Sequence, residues 1–154
     1  MEDDSIEVES SSLRHNQNGH GSETLLVVED EPAFRDLLRD GLESRGYEVL
    51  VAANGVHAMQ VAEQYTGPIR LLITDVIMPQ MSGPELARSL RKVRSSTDVL
   101  YMSGYTDDKV GDILSSDELT LIQKPFYIDD LVRKIQEILA RGAAPASRSS
   151  SVTQ

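Results

Sequence analysis

Short apolar runs alternate with segments whose apolar residues recur three and four positions apart, and this alternation organises residues 24 to 140. The runs are LLVVED (25–30), YEVLVAA (47–53), IRLLITD (69–75), TDVLYMSG (97–104) and LTLIQK (119–124). Their length and their Val, Ile and Leu content predict strands. The first, third and fourth are apolar on both faces, as strands covered by helices on each side must be. The segments between them predict helices with one buried stripe: Phe34, Leu37, Leu38 and Leu42; Ala58, Met59 and Ala62; Leu86, Leu90 and Val93; Val110, Ile113 and Leu114. A last helix carries Ile128, Leu131, Val132, Ile135 and Leu139. Pro32 and Pro84 stand at helix starts and Gly46 just after a helix end, where each residue type is at home. Five strand–helix units in succession predict an α/β fold built on a doubly wound, five-stranded parallel sheet.

Strands that all run the same way bring whatever ends them to one rim, and ligands bind at that rim in sheets of this kind. Strand one ends in Glu29-Asp30, strand three in Asp75, strand four in Ser103-Gly104 and strand five in Lys124-Pro125. Clustered acids repel one another and resist burial, so three carboxylates at one edge call for a cation. A hard divalent ion is the natural occupant, and Mg²⁺ suits a sparse, water-rich oxygen site held by Glu29, Asp30 and Asp75. Such an ion, with Lys124 and Ser103 nearby, would neutralise and orient a phosphoryl group. An aspartate can itself be the nucleophile and form an acyl phosphate, so the sequence points to Asp75 as a phosphoacceptor.

Composition narrows the partners. The formal net charge is −10, and residues 24 to 140 alone carry 19 acids and 12 bases, a balance of −7. That disfavours nucleic acid, whose binding is built on basic residues meeting phosphates, and favours a metal cation or a basic partner. With no cysteine there is neither a disulfide framework nor a thiolate metal site. No apolar run approaches the roughly 18 residues of a membrane span, so no membrane association and a cytoplasmic location are expected. Residues 1–23 and 141–154 are small, polar and aperiodic, which predicts a disordered acidic tail before the domain and a second disordered tail after it. The 14 residues after 140 are too few to form an output domain.

VVEDEP, TDVIMPQMSG, YMSGY and QKPF, in this order on the expected strands, together resemble the response-regulator receiver domain of two-component signalling. The resemblance covers about residues 24 to 140, and YMSGYTDD and LIQKPF are most similar to receivers attached to hybrid histidine kinases. It implies a flavodoxin-like sheet of order 2-1-3-4-5. It also implies that Asp75 takes a phosphoryl group from the phosphohistidine of a sensor histidine kinase or a histidine phosphotransfer protein. By the same likeness Asp30 and Asp75 bind Mg²⁺ directly, Glu29 supports it through water, and the backbone carbonyl of Ile77 is a further ligand. Ser103 then hydrogen-bonds the phosphoryl group, Lys124 pairs with its oxygens, and the Lys124-Pro125 peptide bond is cis. Switching would act on a downstream protein partner through the helix after strand four, strand five and the last helix. Such a module is not an enzyme in its own right, its self-phosphorylation and slow dephosphorylation being part of the switch. Two residues depart from the family pattern: Glu29 stands where Asp is commoner, and Leu121 where many relatives have an aromatic.

Each residue also has an ordinary reading. Glu29, Asp30 and Glu31 before Pro32 suit a helix N-terminus, and Asp75 suits a turn. Their convergence with Ser103 and Lys124 on one rim carries the functional reading. Met78, Met81 and Met102 suit packing, and His15, His20 and His57 are poorly placed for catalysis. Tyr105 could pack against the site or face a partner. The main rival is a Mg²⁺-dependent phosphatase of the haloacid dehalogenase type, but it needs an acid two residues after its nucleophile, where this chain has Ile77. A flavodoxin-like binding module that is never phosphorylated would leave the acid cluster without a purpose.

Overall fold

The computed structural model describes residues 23–104 and 120–143, with side chains through residue 141. Among these residues there are five strands and four helices. In chain order they are β1 (Thr24–Val28), α1 (Pro32–Glu43), β2 (Glu48–Ala52), α2 (Gly55–Gln64), β3 (Leu71–Asp75), α3 (Gly83–Val93), β4 (Asp98–Ser103), β5 (Leu121–Gln123) and α4 (Ile128–Ala143). Every strand pairing is parallel, and the order is β2-β1-β3-β4-β5. The expected helix of Val110, Ile113 and Leu114, the start of the LTLIQK run, Tyr105 and most of both tails lie outside the described residues.

Alternation along the strands divides the core into two layers. Leu25, Val27, Leu71, Ile73, Leu100, Met102 and Ile122 face α1 and α4, which answer with Leu38, Leu42, Leu131 and Ile135. Leu26, Val28, Leu72, Val99 and Tyr101 point the other way, against Ala58 and Ala62 of α2 and Leu86 and Leu90 of α3. All of β1 and β3 is buried, as central strands covered on both faces must be. The edge strand β2 is only partly covered. Leu37 and Val93, expected on packing stripes, are 55% and 69% exposed. Consecutive residues lie about 100° apart around a helix, so with Leu38 on the sheet Leu37 turns outward. Val93 is the last residue of α3, where the helix leaves the sheet.

The helix starts shape the rim. Glu31 caps α1, its carboxylate accepting the Phe34 amide (3.1 Å) with Pro32 in the first turn. Ser82 and Glu85 form a reciprocal capping box on α3, each side chain accepting the other's amide. The chain therefore leaves β3, crosses residues 76–82 and re-enters a helix that is fixed at its first turn. Gly83 closes this loop: its amide donates to the Val76 carbonyl (2.8 Å), and a Cβ there would lie 2.2 Å from the Asp75 carbonyl oxygen. Gly46, at φ 100°, makes the left-handed turn between α1 and β2.

Candidate functional site

Register carries the site residues to one edge. Val28 pairs with Thr74, so the next residues, Glu29 and Asp75, come out of the sheet side by side. The Glu29 amide still donates to the Ala52 carbonyl (3.0 Å), which holds it in line although β1 ends at Val28. Asp75 pairs with Met102, which places Ser103 one step further along β4, and the Lys124 amide donates to the Ser103 carbonyl (2.7 Å). The Lys124-Pro125 peptide bond is cis.

Glu29 is 2% exposed and Asp75 7%, whereas Asp30 faces solvent. Lys124 lies between the two buried acids, its Nζ 2.7 Å from Asp75 Oδ1 and 3.1 Å from Glu29 Oε1. The second Glu29 oxygen accepts the Glu31 amide (3.0 Å), and the Arg35 guanidinium donates to the Glu29 carbonyl (2.8 Å). The structure thus brings together Glu29, Asp30, Asp75 and Lys124, with Ser103 buried on the adjacent strand. The Ser103 hydroxyl donates to the Gly104 carbonyl (3.1 Å). Ile77, two residues beyond Asp75, is 47% exposed on the loop. His57 sits on the α2 surface, its Nδ1 accepting the Ala53 amide, while Met78 and Met102 are core.

Burial first, and then the charge of Asp75, pushes the Glu29 carboxyl up to about 7. Burial also raises Asp75, against the opposing pull of the Lys124 hydrogen bond and charge. Burial alone would lower Lys124, but its hydrogen bond to Asp75 and the charges of Asp75 and Glu29 outweigh that and hold it above its ordinary value. Two buried carboxyls beside the Lys124 ammonium thus favour taking up a further positive charge. That leaves room for a second cation. Ligand oxygens of Glu29, Asp30 and Asp75 lie within 4.8 Å of one another, a hard-oxygen set that fits a small divalent ion such as Mg²⁺.

Sequence reasoning set Lys124 on the same rim as the acids but reserved it for phosphoryl oxygens, and did not foresee its ion pairs with Asp75 and Glu29 themselves. It also missed Phe34, treated as one more apolar position on α1. The Phe34 ring lies under the Lys124 ammonium, 5.0 Å from its centroid, and meets Phe126 at 5.8 Å with a 59° tilt. The chain has only two phenylalanines, so their meeting at this lysine was a signal available in EDEPAF and QKPF.

Residues 25–136 match the family model described as the response regulator receiver domain. Over 122 residues, 79% of the chain, it is 38% identical to the sensor kinase CckA of Brucella abortus but spans only 13% of that protein. It is 31% identical to the response regulator receiver protein CpdR of the same organism, covering 75% of this chain and 95% of CpdR. Among solved structures, the receiver domain of the hybrid histidine kinase CckA matches at 38% identity with a TM-score of 0.63, over 74% of this chain and 96% of that one.

Proposed function

We propose, from the premise that this chain belongs to the response regulator receiver domain family of two-component systems, that it is a phosphoacceptor switch whose acceptor is Asp75. The observation that carries this reading is the ion pair of Lys124 with a nearly buried Asp75 at the end of β3, beside Glu29 and Asp30. An Asp75 carboxylate oxygen attacks phosphorus, the bond to the leaving imidazole of a phosphohistidine breaks, and an acyl phosphate forms. Receiver domains work with histidine kinases or phosphotransfer proteins, and such a donor is the partner proposed here.

Glu29, Asp30, Asp75 and the Ile77 carbonyl would hold Mg²⁺, which when bound supplies positive charge against the phosphoryl oxygens. Lys124 then shifts its ion pair from the carboxylate to a phosphoryl oxygen, and its position between two acids keeps it charged while it does so. Ser103 swings its hydroxyl from the Gly104 carbonyl to the phosphoryl group. Its movement pulls on the end of β4, and the added charge biases a surface that includes β5 and α4 toward a protein partner. Leu121 packs half-buried against the Tyr101 side of the core and carries no hydroxyl to swing outward, so β4 rather than residue 121 transmits the change.

Beryllofluoride with Mg²⁺, which mimics an aspartyl phosphate, tests this path. Amide NMR shifts should centre on Asp75, Ser103 and Gly104, with Leu121 side-chain changes small. Ser103→Ala should keep beryllofluoride binding but lose the shift at Gly104; an unchanged Gly104 shift would contradict the role of the hydroxyl.

A further inference from the structure

We propose that Phe34 is a positioning residue for Lys124, holding the ammonium over the phosphoryl site through the face of its ring; the inference rests on the reading of Asp75 as phosphoacceptor. A lysine ammonium sits on a flexible four-carbon stem, and without a second constraint it samples many positions. Here it has one. The Phe34 centroid is 5.0 Å from Nζ, within the range of a cation–π contact.

The ring itself is held from two sides. Its backbone amide is tied to the Glu31 carboxylate in the first turn of α1. Its ring tilts against Phe126, which lies two residues beyond Lys124 on the loop to α4. The aromatic pair therefore links the start of α1 to the end of β5 across the lysine. A ring face draws the ammonium without accepting a conventional hydrogen bond. Among the described residues the Asp75 and Glu29 oxygens take two of its N–H donors, and the ring takes none in a conventional hydrogen bond, so the donor now on Asp75 is free to turn to a phosphoryl oxygen. A polar residue at position 34 would compete for that donor. Phe34 also packs against the α1 and α4 layer of the core, so a purely structural role is the alternative the test must separate.

Phe34→Leu keeps an apolar side chain of similar bulk and removes the ring, whereas Phe34→Tyr keeps both. The rate of Asp75 phosphorylation by acetyl phosphate with Mg²⁺ should fall about threefold to tenfold in Phe34→Leu and stay within about twofold of the parent in Phe34→Tyr. In a Lys124→Met background, Phe34→Leu should add no further loss. The Lys124 ε-methylene proton resonances, shifted upfield by the ring, should move downfield in Phe34→Leu and not in Phe34→Tyr. Equal rates for parent and Phe34→Leu, the same loss with or without Lys124, or unmoved Lys124 resonances would each overturn the inference while leaving Asp75 as acceptor. A parent that takes no phosphoryl group, though Lys124 responds to the ring, would overturn the acceptor reading and with it the role assigned to Phe34.

Discussion

Burial of Asp75 and Glu29 beside the Lys124 ammonium makes the charge of this cluster depend on pH and on the cations available. Glu29, at about 7, is raised above the 4.5 of a free carboxyl, so the folded chain binds a proton that the unfolded chain releases. Its stabilising contribution is complete below pH 4.5 and is lost as pH rises through about 7. Without metal, stability should therefore decline across that window, as melts in a metal-free buffer series would report. Glu29→Gln should flatten the decline. Because Mg²⁺ must displace the same proton, its apparent affinity should be higher at pH 8 than at pH 6, which calorimetric titration at the two values checks. At Asp75 itself, replacement by Asn removes a carboxylate whose burial is only partly offset by Lys124, and it leaves the Lys124–Glu29 pair in place. Asp75→Asn should fold, melt no lower than the parent without metal, and take up no phosphoryl group.

At the level of elements, the loop from β3 to α3 and the short strand β5 carry the next tests. Gly83→Ala forces a Cβ to within 2.2 Å of the Asp75 carbonyl, against backbone that cannot yield without moving Asp75. It should cost about 1–3 kcal/mol in denaturant unfolding and slow phosphorylation as well. Leu121→Ala removes a half-buried side chain packed beside Tyr101. It should cost about 1–2 kcal/mol, below the range for fully buried leucines, and leave Asp75 phosphorylation within about twofold. These elements also show where the sequence was readable. Alternating residues such as Leu25 and Leu26 fill opposite core layers, so the period of the strands revealed a sheet covered on both faces. Pro32 and Pro84 marked two helix starts because each sits in a first turn where a missing amide costs nothing. Glu29, Asp75, Ser103 and Lys124 could be listed from strand ends alone, because parallel strands share one rim. Their pairing could not, since which acid a lysine reaches depends on side-chain directions that linear spacing does not encode. For the same reason Phe34 passed as core, and Leu37 as packed when it faces solvent.

On the scale of the whole molecule, a chain of net charge −10 gathers three of its carboxylates at one edge of the sheet. No helix among the described residues is long and apolar enough to cross a membrane. A cation that binds the folded cluster and not the unfolded chain should stabilise the protein by about 1.4 kcal/mol at ten times its Kd, seen as a rise in Tm with Mg²⁺. Asp30→Asn, which removes the solvent-facing carboxylate of the cluster, should reduce that rise. The account's central claim is that Asp75 accepts a phosphoryl group, and chemical trapping tests it most directly. The protein is treated with acetyl phosphate and Mg²⁺, reduced with borohydride, which converts an aspartyl phosphate to homoserine, and digested for peptide mass analysis. The account predicts homoserine at position 75 alone, dependent on Mg²⁺ and absent from Lys124→Met treated for the same short time. Unmodified Asp75, or homoserine at another acid such as Asp30, would contradict it.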